Sequence, residues 1–302
     1  MKKMLKATIL TAALSAGMTL SAMAAETPAK TWEDVKNSED PLEIIQVVEA
    51  QNNAASSMDT DYLMNMTFRL GEENLAMHTT GNIKVQDADN EAMKLFMTMD
   101  ANTLGETQSI TAFYSDGWYY YDMGESGKYK MEMNYADALK NAQSAAGLTQ
   151  GDLSYITDAS VVRNGDLTTI YFTMDGAALT DMTNQVLAAT APSGPAASKP
   201  TSGTITAGSG SMVSSTGGPG GQSSMDITTC KGEYTLDANG NIIQMRMLMD
   251  TDMSSEGTSM GFEMFMEMNI KSLGDSVTVS IPSTEGYPTM EEYLAQLLAD
   301  AA

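Results

Sequence analysis

Residues 262–268 read Phe-Glu-Met-Phe-Met-Glu-Met, so that Phe262, Met264, Met266 and Met268 occupy every second position. Successive side chains of a β-strand point to opposite faces, and this period therefore indicates a strand with one apolar, thioether-rich face. The same alternation recurs at residues 64–70, 93–99 and 245–249. Because thioether side chains are flexible and polarizable, a sheet of such strands is suited to apolar ligands of variable shape.

The chain is strongly acidic, with 302 residues, a formal net charge of −23, one histidine and one cysteine. This charge disfavours nucleic acids and anionic membrane surfaces as partners, because both require a cationic footprint. A single cysteine, Cys230, excludes an intramolecular disulfide, and we interpret it as a small, half-buried strand residue. A single histidine, His78, excludes a histidine-cluster zinc site, and its parity predicts an exposed side chain on a strand.

The first 24 residues are typical of an export signal. Three lysines precede an apolar run from Ala7 to Leu20, and the small residues Ala22 and Ala24 fit a cleavage site. No cysteine directly follows that run, and no later stretch is apolar enough to span a membrane. We therefore expect an extracytoplasmic protein, secreted or associated with the cell envelope, without a lipid anchor or a transmembrane helix.

Capping and turn signals divide the remaining chain into helices and many strands. Asp40 and Pro41 predict the start of the first helix, with Glu43 completing a capping box, and Thr289 with Glu292 predicts the start of the last one. Asp-Gly and Asn-Gly pairs predict hairpin turns. Further helices are predicted at 134–147 and 177–189, and strands at 61–70, 74–85, 92–102, 107–114, 118–122, 128–133, 156–163, 167–173, 227–236, 242–251, 261–272 and 277–281.

Composition indicates the domain organisation. Residues 25–39 are expected to be a flexible polar leader. Residues 191–225 are rich in glycine, serine and proline, and we expect a disordered insert, since so few apolar groups do not offset the entropy of ordering. The parts before and after it, 40–190 and 226–300, are expected to form one monomeric α+β domain, in which a large antiparallel sheet curls around two or three helices.

Sequence patterns for catalysis or cofactor binding are absent. The chain contains no phosphate-binding glycine loop or dinucleotide fingerprint. Residues 237–241 lack the spacing of a calcium loop and are predicted to form a hairpin turn. Two alternating aromatic pairs, Trp118 with Tyr120 and Tyr119 with Tyr121, favour cross-strand packing over a sugar-binding platform. We therefore predict a non-enzymatic protein without a cofactor or a metal.

The methionine runs leave three functions open. The first is a carrier or sensor that holds an apolar, lipid-like ligand between the sheet and the helices. The second is a structural or adhesive protein with a closed core and a cell-envelope partner. The third is a copper(I) site, because thioethers are soft ligands, although such sites usually add histidine or cysteine and neither is available nearby. The predicted ligand-lining residues are Met64, Met66, Phe68, Met97, Met99, Met131, Met133, Met245, Met247, Phe262, Met264 and Met266.

Several local motifs appear in a characteristic order between Asp40 and Pro282. They are Tyr114-Ser115-Asp116-Gly117-Trp118-Tyr119-Tyr120, Gly127-Lys128-Tyr129-Lys130, Gly232-Glu233-Tyr234-Thr235-Leu236-Asp237 and Gly240-Asn241-Ile242-Ile243. This order resembles the LolA/LppX-type superfamily, especially its secreted bacterial proteins of unknown function. The resemblance implies a strongly curved antiparallel sheet, an open half-barrel with helices on its concave side. It also implies carriage of lipids or lipoproteins there and supplies no catalytic residues, because the characterised members are not enzymes.

Overall fold

The computed structural model describes residues 30–70, 73–88, 90, 92–133, 153–180, 224–255 and 258–300. Within these ranges, one sheet of 11 strands accounts for most of the structure. The strands are β1 (Met58–Leu70), β2 (Glu73–Gln86), β3 (Lys94–Thr103), β4 (Glu106–Ser115), β5 (Trp118–Asp122), β6 (Lys128–Glu132), β7 (Ile156–Asn164), β8 (Leu167–Met174), β9 (Ser224–Leu236), β10 (Ile242–Ser255) and β11 (Thr258–Leu273). The helices are α1 (Trp32–Val35), α2 (Pro41–Asn53) and α3 (Met290–Asp300), with single helical turns at 176–180 and Gly124–Ser126.

The strands pair in the order β6-β5-β4-β3-β2-β1-β11-β10-β9-β8-β7, and all neighbours are antiparallel. Two meanders, β1 to β6 and β7 to β11, meet where the first strand pairs with the last. The edges of the described sheet are therefore β6 and β7, and the sheet is open rather than closed into a barrel. This confirms the prediction of a large open antiparallel sheet with few helices.

The register gives the sheet two different faces. The inner face is the one against which α2 packs, and it carries the period-two methionines of β1, β3, β10 and β11. The outer face carries charged side chains such as Arg246, which donates to Glu233 at 3.2 Å and to Glu267 at 2.8 Å. His78 lies on this outer face and is exposed, as its parity predicted.

The predicted hairpin turn at Asp116 and Gly117 is confirmed. Their φ values are 53° and 80°, and a two-residue turn of type I′ requires positive values at both positions. The turn brings Phe113 opposite Tyr120 on the outer face, where the two rings stack with centroids 4.6 Å apart. Tyr119 faces the other way and is buried. The alternation of these aromatic residues is therefore confirmed, and they pack within the sheet.

The helices predicted from Asp40 and from Thr289, α2 and α3, begin at the predicted residues. The Asp40 carboxylate accepts hydrogen bonds from two backbone N–H groups of the first turn of α2, at 3.0 and 3.4 Å. Glu43 differs from the expected capping box, because its carboxylate bonds Ser38 instead of the backbone of the cap. The capping box of α3 forms between Thr289 and Glu292 as predicted. Among the described helices, none is long and apolar enough to cross a membrane.

The segment expected to be a flexible leader contains α1, which corrects that expectation for residues 30–39. Trp32 and Val35 are buried, and Trp32 Nε1 donates to the carbonyl oxygen of Ala238 at 2.9 Å. The indole ring lies over Gly240, where an added Cβ would come within 2.5 Å of it. A four-residue helix is too short to show a period in the sequence. Its burial depends on the distant β9–β10 hairpin, which composition does not reveal.

The strand predicted at 277–281 is not part of the sheet. β11 is already paired with β1 and β10, so the chain that follows it has no free edge beside it and crosses the outer face instead. Val277 and Val279 are buried there, and the backbone N–H of Val279 donates to the side chain of Gln86 at 2.9 Å. Farther along, Tyr287 packs edge-on against the stacked rings of β4 and β5.

Several predictions fall on residues outside the described ranges. They are the signal at 1–24, the helix at 134–147, the part of the 177–189 helix beyond residue 180, and the insert up to residue 223. Residues 176–180 are helical, which agrees with the predicted start of that helix. Ser224 and Met225 pair with β10, so β9 begins inside the expected insert.

Candidate functional site

The inner face brings thioether side chains from four neighbouring strands together. β10, β11 and β1 place three methionines side by side in one row, and the adjacent row adds a fourth from β2. Two phenylalanine rings continue the pattern, with centroids 5.2 Å apart. We name this set the methionine surface: Met247, Met266 and Met64 in the first row, Met249, Met264, Met66 and Met77 in the second, and Phe262 with Phe68.

Strand register creates this surface from segments that are distant in sequence. β1 and β11 pair so that Met64 lies opposite Met266 and Met66 lies opposite Met264. Side chains in opposite positions have Cβ atoms about 4.5–5.5 Å apart, which brings flexible thioethers into contact. These four residues are buried, whereas the β10 methionines of the surface are half-buried. The surface is therefore more accessible at β10 than at these four residues.

The structure brings together seven of the twelve predicted ligand-lining residues, namely Met64, Met66, Phe68, Met247, Phe262, Met264 and Met266. The other five lie on the same face but pack elsewhere. Met97 and Met99 belong to a core over β3 and β4, with Met131 and Met133 at its margin, and Met245 packs against the residues under α2.

The predicted set also missed two members of the methionine surface. Met249 continues the alternation of Met245 and Met247, so the signal for it was present in the sequence. Met77 follows Leu75 at period two, but its place beside Met66 depends on the pairing of β1 with β2. Period two assigns a residue to a face, and only the register assigns it to a neighbour.

Cys230 lies next to the methionine surface. It pairs with Met249 across β9 and β10 and extends the second row to a fifth strand, so a cysteine is in fact available beside the methionines. The side chain is 2% exposed, which corrects the half-buried position that we expected, and burial raises the pKa of its thiol to about 11. Within the described ranges, no group of three His, Cys, Asp or Glu side chains is placed to hold a metal ion.

The inner face also contains unpaired polar atoms. Among the residues that the structure describes, the buried hydroxyls of Thr60, Thr79 and Thr251 have no hydrogen-bond partner. Each of these side chains is at most 1% exposed. A buried polar group without a partner costs about 1–3 kcal/mol. Thr79 lies opposite Met64, inside the methionine surface.

A polar pair lies at the boundary between the methionine surface and the residues under α2. The hydroxyl of Tyr234 donates to Glu49 Oε1 at 2.9 Å. Removal of water from around Glu49 raises the pKa of its carboxyl, and the hydrogen bond from Tyr234 opposes this effect in part. Burial also raises the pKa of Tyr234 well above its ordinary value. Burial therefore favours the protonated, uncharged forms of both Glu49 and Tyr234 at the margin of an apolar face.

Residues 237–241 form a hairpin turn, as predicted. The Asp237 carboxylate accepts from the backbone N–H groups of Asn239 and Asn241, both at 2.9 Å. Because its oxygen atoms bond the turn itself, this segment acts as a structural turn.

Comparison of the sequence finds no matching family model and no matching curated protein. Comparison of the fold finds LprF from Mycobacterium bovis, at 9% identity and a TM-score of 0.40 over 83% of this chain and 100% of that one. It also finds lipovitellin, in a structure of its lipid–protein interactions, at 8% identity and a TM-score of 0.32 over 76% of this chain and 26% of that one. A domain assigned to outer membrane lipoprotein sorting from Vibrio parahaemolyticus matches at 10% identity and a TM-score of 0.20, over 85% and 97%.

At identities of 8–10% and TM-scores of 0.20–0.40, these matches assign neither a superfamily nor a ligand to this chain.

Proposed function

We propose that the protein is an exported, non-enzymatic binding protein that holds an apolar, lipid-like ligand on the methionine surface. The observation that carries this proposal is the contiguity of the thioethers across β10, β11, β1 and β2. One methionine-rich strand is compatible with an ordinary core. Four strands from two separate meanders that place their methionines in the same two rows form a surface of one chemical kind.

The type of side chain supports a ligand of variable shape. Well-packed cores mostly use leucine, isoleucine, valine and phenylalanine, because these residues have few, well-defined rotamers. Methionine is unbranched and polarizable and is frequent on surfaces that accept several partners. In our proposal the sheet curves around its helices, so that the methionine surface becomes the wall of a concave site.

The proposal also includes the export and the cellular location of the protein. Residues 1–24 are removed on export, the mature chain begins near Ala25, and it acts as a monomer in the envelope or outside the cell. N-terminal sequencing of protein from the extracytoplasmic fraction tests this part. Recovery of chains that begin at Met1 would contradict it.

Retained ligand is the direct test of the binding function. Native mass spectrometry of protein purified from its source should show a bound lipid-like mass, and the purified protein should take up a fluorescent lipid. Met266→Gln should reduce uptake, whereas Met266→Leu should preserve it and cost less than about 1.5 kcal/mol of stability, because volume is nearly conserved. Absence of uptake by the parent, with Met266→Gln losing about 1–3 kcal/mol or more, would instead favour a structural envelope protein with a closed core.

A second function, copper(I) binding, is favoured by the pairing of Cys230 with Met249. Thiolate and thioether sulfur atoms are the soft ligands that copper(I) prefers. The second row of the methionine surface, extended by Cys230, aligns five sulfur atoms across five strands. This arrangement supports a metal site more specifically than the methionine runs alone.

Silver(I), a soft monovalent ion without redox chemistry under these conditions, is the appropriate probe. A thiol whose pKa is about 11 must lose its proton to bind, so affinity for silver(I) should rise with pH. Cys230→Ala should abolish that dependence, and Met264→Leu should weaken binding more than Met97→Leu, which alters a methionine outside the row. A chain that retains no silver(I) on gel filtration would exclude this second function.

A further inference from the structure

Thr79 is a polar residue within the methionine surface. Its cross-strand neighbours are Met64 on β1 and Ala101 on β3, and Met77 precedes it on the same face of β2. The side chain is fully buried, with 0% exposure. Its hydroxyl has no hydrogen-bond partner in the part of the chain that the structure describes. Valine would fill nearly the same volume without a polar atom to satisfy, so a hydroxyl here requires a reason.

Several polar side chains elsewhere in the sheet form hydrogen bonds with one another. On the outer face, Asn102 donates to Thr107 at 3.0 Å and Gln244 donates to Asn269 at 2.8 Å. Under α2, the hydroxyl of Tyr234 has its carboxylate partner. Unpaired hydroxyls therefore do not reflect loose geometry throughout the sheet. Among the described residues, the buried threonine hydroxyls without a partner all lie on its inner face, where Thr60 lies opposite Ile83 and Thr251 lies opposite Phe262.

The distribution of charged residues around Thr79 limits the chemical class of ligand that can bind there. Within the described residues, the inner face of β1, β2, β3, β10 and β11 carries no lysine or arginine. Basic residues of these strands, such as Arg246 and Lys271, lie on the outer face in ion pairs. A carboxylate or phosphate brought to Thr79 would therefore be a buried anion without a cation, which is strongly unfavourable. An uncharged oxygen would meet no such penalty.

We propose that the ligand of the methionine surface is a neutral, oxygenated lipid, and that Thr79 Oγ1 hydrogen-bonds its hydroxyl or ester oxygen. This inference rests on the proposed function and specifies its ligand class. A threonine hydroxyl both donates and accepts, so it satisfies an ester carbonyl or an alcohol equally well. Met64 and Met77 contact the hydrocarbon chain beside that oxygen, and a fully saturated hydrocarbon leaves Thr79 unpaired.

Four probes with the same chain length test the proposal: hexadecane, 1-hexadecanol, methyl palmitate and palmitate. Each is supplied from cyclodextrin to the full chain, and affinity is measured by displacement of a fluorescent lipid. The parent should bind the alcohol and the ester about tenfold more tightly than hexadecane, as one buried hydrogen bond allows. Palmitate, which is anionic, should bind more weakly than the alcohol.

The variant Thr79→Val should lose this preference and bind hexadecane as the parent does. Thr80→Val is the matched control, since it makes the same change at the next residue, on the outer face, and should keep the preference. Without ligand, Thr79→Val should melt about 2–4 °C higher than the parent, because an unpaired buried hydroxyl is removed. Retained binding of hexadecane shows that the variant is folded.

The outcomes separate this inference from the proposed function. If the parent binds none of the four probes, the binding function itself fails, and the inference with it. If the parent binds hexadecane as tightly as hexadecanol, or Thr79→Val keeps the preference, the binding function stands and the role of Thr79 is overturned. A Thr79→Val variant that melts lower and loses all four probes equally would assign Thr79 to the structure of the sheet.

Discussion

Two regions of the inner face use different side chains for burial. The region under α2 is built from branched and aromatic residues, and its polar atoms are paired, as in the bond between Tyr234 and Glu49. The methionine surface is built from unbranched thioethers, and the hydroxyl of Thr79 within it has no partner among the described residues. The fully buried residues of the first region include Val35, Ile44, Ile45, Val48, Ile170 and Leu236.

The difference follows from what each region contacts. A branched side chain loses little conformational freedom when it packs, and it fits one fixed neighbour well. α2 is such a neighbour, since its capped first turn and its hydrogen bonds to the β9–β10 hairpin fix its position. Methionine loses more freedom but adapts to different neighbours. A surface that receives a ligand of variable shape gains from that adaptability, and a helix-covered core does not.

The largest predicted effect is in the region under α2. Ile45→Ala removes a fully buried side chain and should lower the free energy of unfolding by about 2–5 kcal/mol, because neither α2 nor the sheet can move to fill the cavity. Urea denaturation measures this change. Met64→Ala, at a residue 3% exposed, is the matched change in the methionine surface and should cost less. Equal losses would mean that the two regions are packed alike.

An intermediate effect is predicted at the boundary, for Glu49→Gln. The pKa of Glu49 is raised by removal of water, so the folded chain holds this proton more tightly than the unfolded chain. Stability then falls as pH rises from the unfolded pKa, near 4.3, through the raised folded pKa, and remains lowered above it. The variant should therefore be more stable than the parent at pH 8 and equal to it at pH 4, as thermal melts can show.

Glu43→Gln, on the same helix, is a control for which we expect the opposite change in stability at pH 8. The hydrogen bond from Lys30 lowers the pKa of Glu43, so its carboxylate contributes stability above the unfolded pKa and loses it as pH falls through the lowered folded pKa. This variant should be less stable than the parent at pH 8 and approach it in acid. If both variants shift in the same direction, burial does not govern Glu49.

Period-two patterns were sufficient to place most strands and to assign their faces. The predicted strand at 118–122 coincides with β5, and the predicted start and end of α3 agree with the structure. What the sequence lacked was information on pairing between distant segments. Whether Met64 lies beside Met266 depends on how two meanders meet, and no local pattern encodes that contact. Burial of α1 by Gly240 and Ala238 escaped prediction for the same reason.

Cys230 shows how one irregularity changes a site. The hairpin pairs Leu236 with Ile242, and an unbroken register from there would place Leu248 opposite Cys230 on the inner face. The β-bulge between Ile242 and Gln244 shifts the pairing by one residue and places Met249 opposite Cys230 instead. A shift of one residue moves every later side chain of β10 to the other face. Sequence alternation does not reveal where such a bulge lies.

The smallest predicted effect on stability is the clearest test of the methionine surface. Met264→Leu nearly conserves volume and should change the free energy of unfolding by less than about 1.5 kcal/mol. The reciprocal change under α2, Ile170→Met, should cost at least as much stability, because a flexible side chain replaces a stiff one against a fixed helix.

The range of ligands that the protein binds should change with the first variant and not with the second. Met264→Leu should narrow the set of chain lengths and double-bond positions that the protein binds, whereas Ile170→Met should leave that set unchanged. If Met264→Leu proved the more destabilising of the two and left ligand range intact, Met264 would be a residue of a fixed core, and the contrast between the two regions would not reflect ligand binding.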